Sequence, residues 1–215
     1  MRAARGRFAR AAALFAAGLG FAACNLPRAP ERKAINSYLA ERSDLANVRR
    51  IMVLPFTPET EVQVDCEQVR DAFLTELQKL RRFEVVPLPG TAQENVAVNA
   101  SLRHGRLSTD AMVRLCERYA LDGVLIGTVT SWRAYQPIHL GVRTQLVSIH
   151  SGATIWAVDS IYDANDRSTI SDLRDYAATM QRDDGSLHGW ELNLLAPGRF
   201  IGYVAHRCVG TWVED

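Results

Sequence analysis

Apolar runs alternate with amphipathic segments along the chain beyond residue 48. Residues 49–56, RRIMVLPF, form an apolar run closed by Pro55, which is typical of a strand buried on both faces. In residues 66–80 the apolar positions recur every three or four residues among charged ones, and Asp65 precedes them. This spacing predicts an amphipathic helix that begins at an Asp cap. A short strand is expected next, in RFEVVPLPG.

The same order of helix and strand recurs further along the chain. Residues 111–120 predict a second helix, whose apolar stripe contains Met112, Leu115, Cys116 and Tyr119. The run VLIGTV that follows predicts another buried strand. Between the two units, residues 91–100 are weakly helical and residues 101–110 are expected to form a loop leading to a Ser/Thr cap. A helix followed by a buried strand, twice over, is typical of an α/β domain.

The pattern changes to longer strands after residue 138. Residues 139–150 and 154–163 flank the compact turn Ser151–Gly152, which predicts an antiparallel hairpin. Two C-terminal helices are expected in residues 168–183 and 198–212, joined by a flexible loop. The sequence therefore predicts a single α/β domain with a mixed β-sheet of about five strands, flanked by α-helices, and an antiparallel hairpin near 138–162.

The start of the chain has a different character. The first ten residues carry four arginines and no acid, and an apolar stretch of about a dozen residues follows and stops at Cys24. That stretch is too short to span a bilayer, which takes roughly 20 residues, and the order of features is typical of a secretory signal peptide. Ala22 and Ala23 before Cys24 resemble the bacterial lipobox, in which the cysteine is fatty-acylated and becomes the new N-terminus. We expect a signal peptide over 1–23 and lipid attachment at Cys24; a secreted protein with a fortuitous cysteine is the alternative.

Two further segments follow the expected cleavage site. Residues 24–47 contain two prolines and many charges before any strand-like run, which predicts a flexible tether. The globular domain is then expected over 48–215, which is long enough for one full core. Asn25, rather than Asp, follows the lipid site. By resemblance to Gram-negative lipoproteins, this favours an outer-membrane protein facing the periplasm in a Gram-negative host.

Charge and cysteine content narrow the classes of partner. Without the four N-terminal arginines the chain has 21 basic and 24 acidic residues, a net charge near −3. It therefore has no basic footprint for nucleic acid. Cys66, Cys116 and Cys208 form no C-x-x-C pair and have no histidine at metal-ligand spacing, so we expect no metal and no cofactor. Two of the three could pair in an oxidising periplasm, or all could be buried free thiols.

The sequence contains no evident catalytic constellation. Its five histidines are scattered over loops, strand ends and a helix: His104, His139, His150, His188 and His206. We therefore expect no enzyme, although spacing alone leaves a spatial triad open. An acidic run at Asp159, Asp163, Asp166, Asp172 and Asp175 lacks the spacing of a calcium loop. A solvated strand end and helix start account for it.

One loop segment is a candidate contact surface. Trp132, Arg133 and Tyr135 stand in TSWRAYQPIH, between two predicted strands. Tryptophan, tyrosine and arginine often dominate protein interfaces. The alternative is that the aromatic side chains fold over the end of the sheet as a minor core.

The order of these segments is similar to that of a known group of envelope proteins. The chain carries RRIMVLPF, then VRDAFLTELQKLRRFEVVP, LCERYALDGVLIGTVTSW and GVRTQLVSIHSGATIWAVD. This series, over about residues 49–163, resembles the curli-export lipoprotein family and the related penicillin-binding-protein activator lipoprotein B and TolB N-terminal domains. The resemblance implies a mixed sheet flanked by helices and no catalytic residues. Curli-export channels add long membrane-inserting hairpins, which residues 87–108 do not supply.

These observations favour a non-enzymatic, lipid-anchored protein of the bacterial envelope that acts as a docking or assembly accessory factor. Its expected partners are the membrane, through Cys24, and another envelope protein, and it could form an oligomer. The first alternative is an oligomeric outer-membrane export channel component of the curli-export type. The second is an envelope hydrolase with an unrecognised spatial triad, in which His139 or His150 meets a serine and an acid in a pocket.

Overall fold

A computed structural model describes residues 33–41, 45–86, 88, 108–180 and 189–212. The strands are β1 (Asn36–Leu39), β2 (Arg50–Val53), β3 (Thr57–Pro58), β4 (Glu84–Val86), β5 (Gly123–Arg133), β6 (His139–Ser148) and β7 (Thr154–Asp163). The α-helices are α1 (Cys66–Lys79), α2 (Thr109–Tyr119), α3 (Arg167–Met180), α4 (Leu192–Leu195) and α5 (Pro197–Gly210), with a 3₁₀ turn at Gly189–Glu191.

The strands form one mixed sheet in the order β1-β7-β6-β5-β2-β4, and β3 pairs with β5. β2 runs parallel to both β4 and β5, whereas β5, β6, β7 and β1 are successively antiparallel. The predicted α/β class and the mixed sheet are confirmed. The sheet has seven strands rather than about five because β1 and β3 are short and carry no apolar pattern.

The main predicted elements are confirmed by the structure. Asp65 caps α1, since its Oδ1 accepts the backbone N–H groups of Glu67 and Gln68 at 3.1 Å each. The hairpin of β6 and β7 turns at Gly152, whose φ of +68° lies in the left-handed region that glycine adopts without strain. The weakly helical stretch 91–100 and the loop to residue 107 lie outside the described residues.

The last part of the predicted tether, which was expected to be flexible, is instead part of the sheet. Residues 36–39 fall within 24–47, yet they form β1 and pair antiparallel with β7, from Asn36 opposite Asp159 to Leu39 opposite Trp156. Lys33 also donates to Asp166 at 2.9 Å. In this outermost strand three of the four side chains are exposed and only Leu39 packs against the core, so its sequence does not stand out from that of a linker.

Two apolar clusters lie on opposite faces of the sheet. Ile51 and Val53 belong to one cluster and Met52 and Leu54 to the other, as alternation along a strand requires. On the first face α1, α3 and α5 contribute to a core whose largest buried side chains are Trp156, Tyr162, Tyr203, Phe73 and Phe200. On the second face α2 packs through Leu115. The domain is thus a sheet between two helical layers.

The thiols of Cys66, Cys116 and Cys208 are free. Burial is the main cause that raises the pKa of the Cys208 thiol, to about 12. The structure therefore has free thiols rather than a disulfide among these three, but only Cys208 is buried, whereas Cys66 and Cys116 are partly exposed. Within the described part of the chain, no helix combines the length and apolar character needed to cross a membrane.

Candidate functional site

The sheet face that packs on α2 is apolar near β2 and polar toward β7. Val124 and Ile126 of β5 lie in the α2 cluster. Further along the face, Arg143 of β6 pairs with Asp159 of β7, with Arg143 Nε and Asp159 Oδ2 2.8 Å apart, and with Glu59. These three side chains are exposed, and no described helix packs over them. The outer part of the sheet therefore presents a charged surface.

A serine, a histidine and an acid meet where this polar face ends. Ser131 Oγ lies 2.7 Å from His139 Nε2, and His139 Nδ1 lies 3.3 Å from Asp163 Oδ2. They stand on the adjacent strands β5, β6 and β7, with His139 directly opposite Asp163. A neutral imidazole that donates from Nδ1 to the carboxylate leaves Nε2 free to accept the serine hydroxyl proton.

Further contacts fix Asp163. Its Oδ1 accepts the backbone N–H of Asn165 at 2.8 Å, and its Oδ2 lies 3.5 Å from Arg133 Nη2. Burial alone would raise the pKa of Asp163. The hydrogen bonds from Asn165 and His139 and the charge of Arg133 outweigh burial and hold that pKa below its usual value. The carboxylate is therefore ionised at neutral pH.

A β-bulge and a glycine position Ser131. The pairing of β5 with β6 shifts register between Val129 and Ser131, and a bulge of this kind re-aims the side chains beside it. Opposite Ser131 stands Gly141, where a Cβ atom would overlap the Ser131 and Thr130 hydroxyl oxygens. A residue with a side chain at position 141 would displace the serine.

The three residues predicted as a contact surface line one cleft. The cleft has a volume of about 430 Å³ and also contains Ser131 and His139. Tyr135 is 74% exposed, and Arg133 donates from Nε to the carbonyl oxygen of Pro137. Trp132 is partly buried against the main core, as the alternative of a minor core expected for it. Whether Trp132, Arg133 and Tyr135 bind a partner stays a prediction.

The other described histidines pair with acids elsewhere. His150 Nε2 lies 3.2 Å from Asp122 Oδ1 in a second cleft of about 550 Å³, and His206 Nδ1 lies 3.0 Å from Glu76 Oε2. His104 and His188 lie outside the described residues. Among the described side chains, no group of three or more His, Cys, Asp or Glu could hold a metal ion.

Sequence reasoning selected His139 but not its two partners. The hairpin contained the missing signal, because strands that turn about residue 151 place residues 139 and 163 opposite each other. Ser131 could not be found in this way, since the bulge shifts its register by one residue.

The acidic run of the sequence also has a structural explanation. Its members each contact a different basic side chain: Asp159, Asp163, Asp166 and Asp172.

Fold and site together define a mixed α/β domain with one polar sheet face that ends in a Ser-His-Asp cluster. No protein-family model matches the chain, and no curated protein matches it. Solved structures that resemble it include the PelC dodecamer from Paraburkholderia phytofirmans, with a TM-score of 0.45 and 15% identity, over 65% of this chain and 89% of that one.

Two further solved structures resemble this chain over a smaller share of its length. Lipoprotein GNA1162 from Neisseria meningitidis has a TM-score of 0.40 and 17% identity, over 62% of this chain and 99% of that one. The C-terminal domain of LpoB from Escherichia coli has a TM-score of 0.40 and 13% identity, over 53% of this chain and 81% of that one. LpoB represents the penicillin-binding-protein activator lipoprotein B group, which is one of those that the sequence resembles.

Proposed function

We propose that this chain is a lipid-anchored bacterial envelope protein whose α/β domain docks on another envelope protein, as an accessory factor that needs no chemistry of its own. The observation that carries the proposal is the start of the chain, with four arginines, a short apolar stretch and Cys24 behind two alanines. An acylated cysteine holds a protein at a membrane stably when two or more chains are attached. In a Gram-negative host the proposed location is the periplasmic side of the outer membrane.

The docking part of the proposal is supported by the end of the β5–β6 unit. Tyr135 is 74% exposed and lies beside Arg133, on the segment that joins two long strands. Arg133 ends β5 and Tyr135 lies in the segment before β6, and residues of these two types often dominate protein interfaces. The rigid sheet would present them without a large cost in ordering.

The lipid anchor is tested with the full-length chain and its Cys24→Ser variant, expressed in a Gram-negative bacterium. The intact mass of the wild-type protein should show a chain that starts at Cys24 and carries acyl groups. The variant should move from the membrane fraction to the soluble fraction. Wild-type protein that starts elsewhere, or that carries no acyl group, contradicts the anchor.

The docking surface is tested by site-specific photo-crosslinking in cells. A photoreactive amino acid replaces Tyr135 in one strain and Asp71, which is exposed on α1, in a matched control strain. We expect a discrete adduct with one envelope protein from position 135 and none from position 71. Equal adducts from both positions, or no adduct from position 135, contradict docking through this surface.

A further inference from the structure

We propose that Ser131, His139 and Asp163 form a hydrolytic site that cleaves short-chain carboxylic esters by acyl transfer through Ser131. This activity does not depend on the docking function. It leaves the lipid anchor unchanged but replaces the non-enzymatic part of that function, and because Arg133 and Tyr135 line the same cleft, a partner docked there would cover the hydrolytic site.

His139 lies between a serine and an acid. One ring nitrogen contacts a hydroxyl at 2.7 Å and the other contacts a carboxylate at 3.3 Å. A serine nucleophile needs this arrangement, because the base must accept the hydroxyl proton while the acid holds the ring in the correct tautomer. All three side chains stand on paired strands, so the geometry is held by the sheet rather than by loops.

Ser131 is accessible from the cleft, and the strand opposite leaves space for its hydroxyl. Ser131 and His139 both line the cleft of about 430 Å³, which is within the size range of small-molecule sites. Gly141 leaves the space that the Ser131 hydroxyl occupies, and a bulge in β5 directs the side chain there. The open cleft would let a substrate reach the serine, whereas a polar network with a purely structural role needs no such access.

A second histidine in the same chain pairs with an acid but not with a serine. His150 also contacts an acid, Asp122, and also lines a cleft, in which Ser148 and Ser151 stand. The hydroxyl of neither serine forms a hydrogen bond with His150, and the Ser151 hydroxyl accepts the backbone N–H of Ala153. The His150 cluster therefore lacks the nucleophile contact and provides an internal control.

The chemistry follows from these positions. His139 Nε2 takes the proton of the Ser131 hydroxyl as Oγ attacks the acyl carbonyl carbon. The C–O bond to the alcohol then breaks, and the alcohol leaves with the proton from His139. Water attacks the acyl-serine, passes a proton to His139, and the carboxylic acid departs as Ser131 regains that proton.

The lining of the cleft indicates the substrate class. Arg133 and Gln63 line the cleft, and their side chains carry N–H groups of the kind that stabilise the negative oxygen of a tetrahedral intermediate. Trp132 and Tyr135 add aromatic surface for an acyl or alcohol group. Because the cleft is open and of modest volume, we assign it a short acyl chain rather than a long one.

The experiment uses the purified full-length protein in detergent and two probes, a biotinylated fluorophosphonate and p-nitrophenyl butyrate. We expect the fluorophosphonate to label one site, which peptide mass spectrometry maps to Ser131, and p-nitrophenyl butyrate to be hydrolysed. Absence of labelling, or labelling at another residue, overturns the proposal. This readout on the wild-type chain does not depend on whether any variant folds.

Variants then assign the roles. Ser131→Ala should abolish labelling, and His139→Gln should slow hydrolysis by about 100-fold or more, as loss of a general base does. Asp163 is a positioning residue, so Asp163→Asn should lower kcat with little change in KM, and Asp163→Glu should restore part of the loss. His150→Gln and Ser151→Ala are the matched controls and should leave both readouts unchanged. Hydrolysis that persists in Ser131→Ala, or falls equally in His150→Gln, overturns the proposal.

Discussion

Gly127 and Gly202 lie inside regular elements, but their surroundings are opposite. A Cβ atom at position 127 in β5 would overlap the ring of Phe56, whereas one at position 202 in α5 would meet nothing within 4 Å. Overpacking a full core costs roughly 1–3 kcal/mol, and alanine in place of glycine inside a helix gains about 0.5–1 kcal/mol.

We therefore expect Gly127→Ala to destabilise the protein and Gly202→Ala to stabilise it. Urea unfolding of the two variants beside the wild type measures both changes in the free energy of unfolding. A Gly127→Ala variant as stable as the wild type would show that Phe56 can move aside, contrary to the close packing of its ring against Gly127.

The stability that Asp166 contributes to the fold should depend on pH. The ammonium of Lys33 is the first of the groups that lower the pKa of Asp166, to about 2, and the Ser168 side chain and backbone assist. An unfolded chain has an aspartate pKa of about 4. Below that pH the unfolded state binds the proton more readily, so the stabilisation from Asp166 is complete above about pH 4 and is lost as the pH falls toward 2.

Asp166→Asn removes this contribution. We expect the variant to be less stable than the wild type at pH 5, and the difference in free energy of unfolding to shrink at pH 3. Lys33→Met should also lower the free energy of unfolding more at pH 5 than at pH 3, because Lys33 donates to Asp166 Oδ2 at 2.9 Å. A difference between wild type and Asp166→Asn that is independent of pH would be inconsistent with the lowered pKa.

At the scale of the elements, a buried ion pair joins α3 to α5. Arg207 Nε lies 2.6 Å from Asp172 Oδ2, and Tyr203 donates its hydroxyl to the same oxygen at 2.9 Å. The side chain of Asp172 is 5% exposed and that of Arg207 is 14% exposed. Removal of one partner leaves the other charge buried, which costs about 3–5 kcal/mol.

We expect Arg207→Leu to lower the free energy of unfolding by about that amount. Arg143→Leu is the matched control, because it breaks an exposed pair with Asp159 and should cost about 1 kcal/mol or less. Thermal and urea unfolding measure the loss of stability in each of these two variants. If both variants lost the same stability, burial of the α3–α5 pair would not be the cause.

Predictability from the sequence differs among the elements for a physical reason. The helix α1 could be predicted because Val69, Phe73 and Leu77 must face the core at helical spacing, and because Asp65 caps it. The strands β1 and β3 could not, because they are short and their side chains are largely exposed. A sequence pattern reflects burial, and in β1 only Leu39 packs against the core, while β3 has only two residues.

The same reason limits what the sequence shows of the site. His139 and Asp163 become neighbours through strand register, which the hairpin turn defines. Ser131 joins them only because a bulge alters that register. The contact between Lys33 and Asp166 joins residues 133 positions apart, and no local pattern encodes such a distance.

At the scale of the whole molecule, the strand pairing of residues 36–39 determines where a soluble fragment can begin. A fragment that starts at residue 48, the boundary that the sequence predicts, loses β1 and also the buried side chain of Leu45. The backbone groups of β7 from Trp156 to Asp159 are then left as an open edge, and open edges recruit strands from other molecules.

We expect residues 48–215 to self-associate more strongly and to melt at a lower temperature than residues 33–215, as measured by analytical ultracentrifugation and thermal unfolding. Fragments with identical sedimentation and melting would show that β1 adds nothing to the domain. The short segment before the core therefore limits self-association, because it covers the part of the outer hairpin edge, from Trp156 to Asp159, that the shorter fragment would expose.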